Sequence, residues 1–422
     1  MSRRGVVALV ALLSAPAAWA QFVQYTPPGS LSNPQVTAKE QLEAAIKNAR
    51  WTAGKFSLAP WFALRDIGYV DNVYGTAENP VSDYSATLGA GLNGYFQPTR
   101  KIIVAVGAMP EYVWWKDLAS RRVWNGRYGA GVFAYFNRLT IEVTGSQSRQ
   151  QQWASSEFEQ PINLRTDRGE AALEFRLFGH LSLTASGSST RPRYRAEDVP
   201  GPVGQQLQLL DRDEDVVRGG LRYYIGERAS IGFGVQTNRT EFVRPEASRS
   251  NEGTSPVFEF NAPGRRFSAR ATVLFADLTP RGASQFVAID KPLGSASLSW
   301  NTGKAVTTLY GARNLVYSLG TAAPTYLDDR TGLSFDRKLG WRTTVKLFAE
   351  RGRLGYATVA GAADYSQDST GWGAALGVDL SRGAQLLVQV TSIGYTSDSL
   401  GSRTITRVQT SVRLIDQGAG WW

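Results

Sequence analysis

Residues 121–146 read RRVWNGRYGAGVFAYFNRLTIEVTGS, and the alternation inside this stretch decides the fold class. Trp124, Tyr128, Ala130, Val132, Ala134 and Phe136 share one parity. Asn125, Arg127, Gly129 and Gly131 share the other, with Phe133 and Tyr135 as exceptions near the turn. Asn137 and Arg138 permit a tight reversal. Beyond it Leu139, Ile141 and Val143 take the apolar parity, and Thr140, Glu142, Thr144 and Ser146 the polar one. Side chains of a strand point alternately to two faces. The stretch is therefore a β-hairpin with one apolar and one polar face, its strands longer than the ~5–6 residues usual in globular sheets. A soluble sandwich turns the apolar face inward, whereas a membrane barrel turns it to lipid and encloses the polar face.

The start of the chain reads as a secretory signal. Arg3 and Arg4 precede an apolar run over 5–13, and Ala18-Trp19-Ala20 forms a small-x-small cleavage site before Gln21. The apolar run is shorter than the ~18–20 residues of a spanning helix, and no later segment approaches that length. An exported chain of this kind is either soluble beyond the inner membrane or an outer-membrane barrel. The sequence contains no cysteine and one histidine, His180. That excludes disulfides, thiol chemistry, cysteine zinc sites and histidine cages, so no metal or cofactor is expected. Glycine is abundant at 43 residues and aromatics reach 11 %, against 19 % charged residues. The formal charge of +10 becomes +8 once the signal leaves with Arg3 and Arg4. Such a field suits anionic partners, such as an acidic polysaccharide or outer-membrane lipopolysaccharide.

Residues 21–36 are rich in Pro, Gly, Ser and Asn and read as linker. Thr37 and Glu40 then form a capping box for a helix over 38–49. Leu42, Ala45, Ile46 and Ala49 make one apolar stripe on it. About three turns are marginal alone. The helix must dock on the barrel's periplasmic mouth, in its lumen or on a partner protein, which makes these four residues candidates for partner binding.

From Trp51 onward the pattern is strands in hairpins. Short turns follow Phe96, Phe136, Phe178, Ile225, Lys338 and Leu380. Longer polar connections lie at 72–82, 154–162, 195–212, 244–264, 320–324 and 357–370. Short turns at one end and long loops at the other are the periplasmic and extracellular ends of an outer-membrane barrel. Residues 284–300 read as two strands, 285–290 and 294–300, joined at Lys291-Pro292-Leu293. That division makes the count even, at about 18. The expectation is an antiparallel up-and-down transmembrane β-barrel over 51–415, preceded by a periplasmic segment over 21–50. A C-terminal tail over 416–422 follows.

Parity then places the charges. Arg127, Arg168, Arg176, Arg218, Arg222, Arg266, Arg270, Arg342, Lys346, Arg407 and Arg413 stand opposite apolar neighbours, as do Glu142, Glu170, Glu174 and Glu350. All are assigned to the lumen, since Arg or Lys facing lipid at mid-membrane costs about 2–4 kcal/mol. The excess of base predicts an electropositive channel; cross-strand ion pairing is the competing use of the same residues. Trp114, Trp115, Trp124, Phe136, Trp153, Tyr223, Tyr224, Trp300 and Trp341 read as interfacial girdles. No catalytic site emerges. His180 falls at a turn, the acids over 211–215 read as an outer loop that could hold calcium, and Gly89-x-Gly91 is followed by no helix. Nucleic-acid binding has only the net charge behind it.

The opening of the barrel runs Trp51-Thr52-Ala53-Gly54-Lys55-Phe56, then Pro60, Leu64-Arg65-Asp66, Gly68-Tyr69 and Asp71-Asn72-Val73-Tyr74. This order resembles the outer-membrane β-barrels encoded with Wzx/Wzy-type exopolysaccharide export machinery, the Wzp-like barrels. The resemblance implies an exit pore for an anionic polysaccharide working with a periplasmic polysaccharide-export protein. It carries no catalytic residues. A general or anion-preferring porin is the alternative expectation, and an outer-membrane enzyme a third.

Overall fold

Period-two alternation carries the chain from Phe56 to Leu414 through eighteen long strands, and the computed structural model closes them into one barrel. The structure describes residues 29–32, 38–70, 73, 81–153, 161–195, 202–226, 229–244, 246, 249–320, 322–359, 364–381, 384–397 and 401–414. The predicted signal peptide over 1–20 and the predicted C-terminal tail over 416–422 fall outside them.

A short β1 (Trp51–Ala53) precedes the wall. The first half of the wall comprises β2 (Phe56–Val70), β3 (Asp83–Thr99), β4 (Ile102–Trp115), β5 (Val123–Tyr135), β6 (Leu139–Trp153), β7 (Pro161–Phe178), β8 (Leu181–Tyr194), β9 (Arg212–Ile225) and β10 (Ala229–Phe242). The second half comprises β11 (Asn251–Ala262), β12 (Phe267–Pro280), β13 (Ile289–Asn301), β14 (Ala305–Tyr317), β15 (Thr325–Leu339), β16 (Thr343–Ala357), β17 (Tyr365–Ser381), β18 (Ala384–Ser397) and β19 (Gly401–Leu414). Every neighbour is antiparallel, and β19 pairs back onto β2 from Arg407↔Val70 to Leu414↔Phe62. Below that ladder β1 pairs with the edge of β2 at residues 56–58. Closure of the wall removes most of the free edge that could seed aggregation along that seam.

The outward face is apolar and stands exposed, with Val132, Leu173, Leu221, Phe233, Phe275, Leu309, Leu333 and Val408 among its side chains. Lipid is the medium that makes such a face stable. Aromatic pairs mark both borders. Phe56–Phe96 at 4.5 Å and Phe267–Trp300 at 6.3 Å lie by the short turns. Tyr69–Tyr84 at 5.4 Å and Tyr112–Trp124 at 5.1 Å lie by the long loops. Between Phe96 and Tyr84 of β3 the rise is about 30 Å at ordinary strand rise and tilt, close to the height of a membrane's apolar core.

The even strand count rests on a different partition from the one predicted. Residues 289–301 form one strand, and the strand missing from the sequence reading is β11. It was hidden because its upper outward residues are Glu252, Thr254 and Pro256, and only Phe258 and Phe260 carry the apolar parity. Strands here run from 12 to 18 residues, beyond the ~9–11 that cross a bilayer. Their upper parts stand in water and need no apolar pattern. Lys291-Pro292 is no turn either. The β13–β14 ladder ends at Gly294↔Arg313, so Pro292 stands beside a free edge, where a missing N–H is tolerated.

Among the described residues, two parts of the chain stand out inside the barrel. The first is α1 (Ala38–Lys47), which lies inside the wall rather than beneath it. Leu42 and Ala45 are buried against Ala59, Tyr95, Ile103, Ala105 and Phe133, with Ile46, Ala49 and Tyr135 alongside. Phe133 and Tyr135, exceptional by parity, are the inward seat of this helix. The stripe predicted to bind a partner thus faces the chain's own wall. Gly29 and the turn Ser30–Ser32 rest on the lumenal face of β16, Gly29 donating its N–H to Glu350 at 2.8 Å.

The second is the upper β14–β15 hairpin. Leu315 and Tyr317 have outward parity yet are buried against the inner faces of β7, β11, β12 and β13. Val316 and Tyr326, on the opposite side of the hairpin, pack on Leu354, Tyr356, Ile393 and Tyr395. Above Gly294 the wall therefore overlaps itself like a scroll, with β14 tucked inside β13. The hairpin tip reaches Arg249, which donates to the carbonyls of Ser318 and Gly320. A second helix, α2 (Pro202–Gln208), sends Leu207 into the same cluster.

Candidate functional site

The inward parity lines the lumen with ion pairs and with bases whose directly opposite residues in the ladder are not carboxylates. Arg222 bridges Glu174 at 2.7 Å and Glu259 at 3.3 Å, and Arg218 reaches Glu259 at 2.9 Å. Tyr224 donates its hydroxyl to Glu174 at 2.6 Å, with Arg176 over its ring. Arg168 pairs with Glu170 at 2.9 Å. Lys346 sits directly opposite Asp336 in the ladder. Glu142 accepts from Tyr135 at 3.0 Å, at the foot of the helix seat. Glu350, its side chain 7% exposed, accepts from Tyr310 at 3.1 Å, Arg330 at 3.4 Å and the Gly29 N–H.

Other bases have no carboxylate directly opposite. Arg127 faces Met109 and Ser148. Arg270 faces Asn261 and Ser297, with Glu40 of α1 close enough to feel its charge from across the lumen. Arg407 faces Thr391 and Val70. Arg266 and Arg342 are corrections: each precedes the first residue of its strand and is exposed in a short turn, Arg342 lying 3.7 Å over Trp341. They belong to the periplasmic rim. The side chain of Arg413 is outside the described residues.

Several lumenal groups escaped the sequence reading. Glu259 lies on the strand that was missed. Arg65 bonds to Glu111, Arg212 pairs with Glu214 at 2.5 Å, and Arg330 pairs with Asp328 at 2.9 Å. Parity alone would have turned Arg65 inward, but the bulge at Asp66, whose φ is +55°, shifts the register of β2 and masked the pattern. Gly89 and Gly91 have a packing role. A Cβ at Gly91 would lie 2.2 Å from the Trp61 indole nitrogen, so the two glycines make room for Trp61 on the inner wall. The acids at 211–215 are split by alternation: Asp213 and Asp215 face outward and Glu214 inward, so they converge on no shared ion. Of the predicted girdle, Trp114, Trp124, Tyr223, Trp300 and Trp341 face outward, while Trp115 and Tyr224 turn in.

By sequence, the chain matches no protein-family model and no curated protein. By structure it is similar to the outer membrane protein opdK from Pseudomonas aeruginosa. The TM-score is 0.51 at 11% identity, over 85% of this chain and 98% of that one. A second structure, Pseudomonas aeruginosa OpdK with vanillate, gives a TM-score of 0.50 at 12% identity, over 85% and 98%. The chain is an outer-membrane β-barrel. Its closed eighteen-strand wall and apolar girdle place it in the Gram-negative outer membrane. A bacterial polysaccharide outer membrane secretin is also similar, at a TM-score of 0.36 and 10% identity, which is too distant to bear on function.

Proposed function

We propose that this barrel is a porin-type pore for small polar solutes, with a preference for anions. The observation that carries the reading is the interior itself. The N-terminal segment and the β14–β15 hairpin narrow a lumen whose inner wall carries Arg127, Arg270 and Arg407 beside its ion pairs, Arg127 facing Met109 and Ser148 rather than a carboxylate. A constriction brings solute within a screening length of those charges, about 8 Å at physiological salt, where a positive wall favours anions. Polysaccharide export is the weaker reading. A polymer needs the bore that the chain's own segments occupy, and the Wzp-like resemblance finds no support among the comparisons.

Conductance of the purified barrel in planar bilayers under a potassium chloride gradient tests this. Discrete steps without any partner are expected, with a reversal potential on the chloride side. Vanillate, the small aromatic carboxylate named with one of the fold neighbours, is a suitable permeant. A silent barrel that conducts only with a periplasmic partner, in a strain whose surface polysaccharide vanishes on deletion of the gene, would return the export reading to first place.

A further inference from the structure

Where β14 leaves β13, the outer surface of the barrel has a step. The ladder between them stops at Gly294↔Arg313. Gly294 takes φ +152°, and a Cβ there would lie 2.0 Å from the Thr272 carbonyl, so the strand makes its departure at a residue without a side chain. The receding sheet of β14 to β17 leaves a cleft of about 710 Å³ under the lip formed by Pro292 to Ala296. This is the lipid side of the wall, since Arg313, Asp329, Arg351 and Asp368 share parity with the exposed Leu309, Leu333, Leu347 and Trp372.

The cleft changes character with height. Just beneath it the wall shows Leu298, Leu309, Leu333 and Trp372, all exposed to the apolar core of the bilayer. Within and above it stand three arginines. Arg313 pairs with Asp329 at 2.5 Å, Arg351 makes a loose contact to Asp368 at 3.7 Å with most of its side chain exposed, and Arg353 donates to Ser366 at 3.0 Å. Arg351 lies opposite Thr370, two residues beyond the Ala349↔Trp372 pair, where the outward side chains change from apolar to polar. The guanidinium groups thus sit at the depth where acyl chains end and phosphorylated headgroups begin. Guanidinium is the side chain best matched to phosphate, through two parallel hydrogen bonds.

We infer that this cleft is a lipid seat: it takes a phosphorylated glycolipid of the outer leaflet, with a phosphate on Arg351 and Arg353 and an acyl chain under the Pro292–Ala296 lip. The seat lies outside the lumen and stands or falls independently of the pore reading.

The test is native mass spectrometry of the detergent-purified barrel titrated with bis-phosphorylated lipid A. Three variants are compared with the parent: R351Q/R353Q, which removes the charge; A296W, which fills the cleft and leaves every charge in place; and R149Q/R191Q, which removes exposed charge from a distant part of the outer surface. At least a tenfold loss of affinity is expected in the first two and none in the third. Dephosphorylated lipid A should bind all four proteins with the same low affinity, and millimolar inorganic phosphate should displace nothing. Unchanged affinity in R351Q/R353Q or in A296W overturns the inference, and so does an equal loss in R149Q/R191Q, which would mean diffuse surface charge. Displacement by inorganic phosphate would reassign the cleft to a free anion and overturn it as a lipid seat.

Discussion

Arg222 and Arg127 carry the same charge on the same inner surface and should behave differently. Arg222 is held between Glu174 and Glu259, so Arg222→Gln removes one charge and leaves Glu174 with the Tyr224 hydroxyl and Glu259 with Arg218. Because a broken buried pair costs more than an exposed one, its main effect should be a lower melting temperature. Arg127 faces Met109 and Ser148. Arg127→Gln should leave stability nearly unchanged and lower the chloride-to-potassium permeability ratio by a factor of about two to five, the weight of one charge felt within a screening length. Reversal potentials with parallel thermal melts separate the two; an equal shift in selectivity would mean the Arg222 pairs do not screen its field. The side of the wall was legible for both residues from parity alone. The partner of Arg222 was not, because Glu259 belongs to a strand whose polar upper half hides it. A third residue sets a pH dependence outside the membrane. Asp211, before β9, accepts the Tyr194 N–H at 2.6 Å, and burial lifts its carboxyl above the ordinary range. A folded value above the unfolded one means that the stability it adds is present at low pH. That contribution is lost as pH rises through the raised value. Hydrogen exchange over residues 202–211, corrected for intrinsic rate, should quicken on raising pH from about 3 to 7. Asp211→Asn keeps the acceptor and should flatten the profile; a profile unaltered by that change would assign the pH dependence elsewhere.

Among the elements, α1 was legible as a helix from Thr37, Glu40 and its apolar stripe, while its seat was not. The signal was present in Phe133 and Tyr135, aromatic where the wall should be polar, but two residues on one strand do not say what covers them. Ala59, Tyr95, Ile103 and Ala105 from three other strands complete the seat, and only closure of the barrel brings them together. The β14–β15 hairpin was read as two ordinary strands, because nothing in an alternating pattern tells a strand in the wall from one folded behind it. One side chain anchors its tip. Arg249, nearly fully buried, satisfies the carbonyls of Ser318 and Gly320 from the β10–β11 connection. Arg249→Ala should cost about 1–3 kcal/mol for each stranded carbonyl. That is enough to move the tip off its site for a tenth or more of the time if docking is marginal. Single-channel records should then gain a second, larger conductance level. A single level at the parent's amplitude would show that Leu315 and Tyr317 hold the hairpin without the arginine.

At the scale of the molecule, the sequence reading reached eighteen strands by two errors that cancel, one strand divided and one overlooked. The parity rule of a closed barrel forced the sum while leaving the parts free: both termini of an up-and-down barrel emerge on one side, so an odd total was excluded before any boundary was known. The same closure separates the barrel from its contents. The ladders that close the wall run from β2 round to β19, and the described residues up to Lys47 contribute to none of them. Export of a chain lacking residues 21–50 should therefore still give a folded barrel that resists unfolding in detergent when unheated. Its conductance should rise well above the parent's. Its preference for anions should fall, because in a wider bore more of the solute path lies beyond the screening length of the wall charges. Leu42→Asp, which puts a carboxylate into the apolar seat, should reproduce that result in the full-length chain, at a cost above the ~2–5 kcal/mol of truncating a buried leucine. Larger conductance with weaker selectivity in both variants would identify the N-terminal segment as the element that narrows the pore. Parent-like conductance in both would put the narrowest point at the β14–β15 hairpin instead, where Arg249→Ala acts.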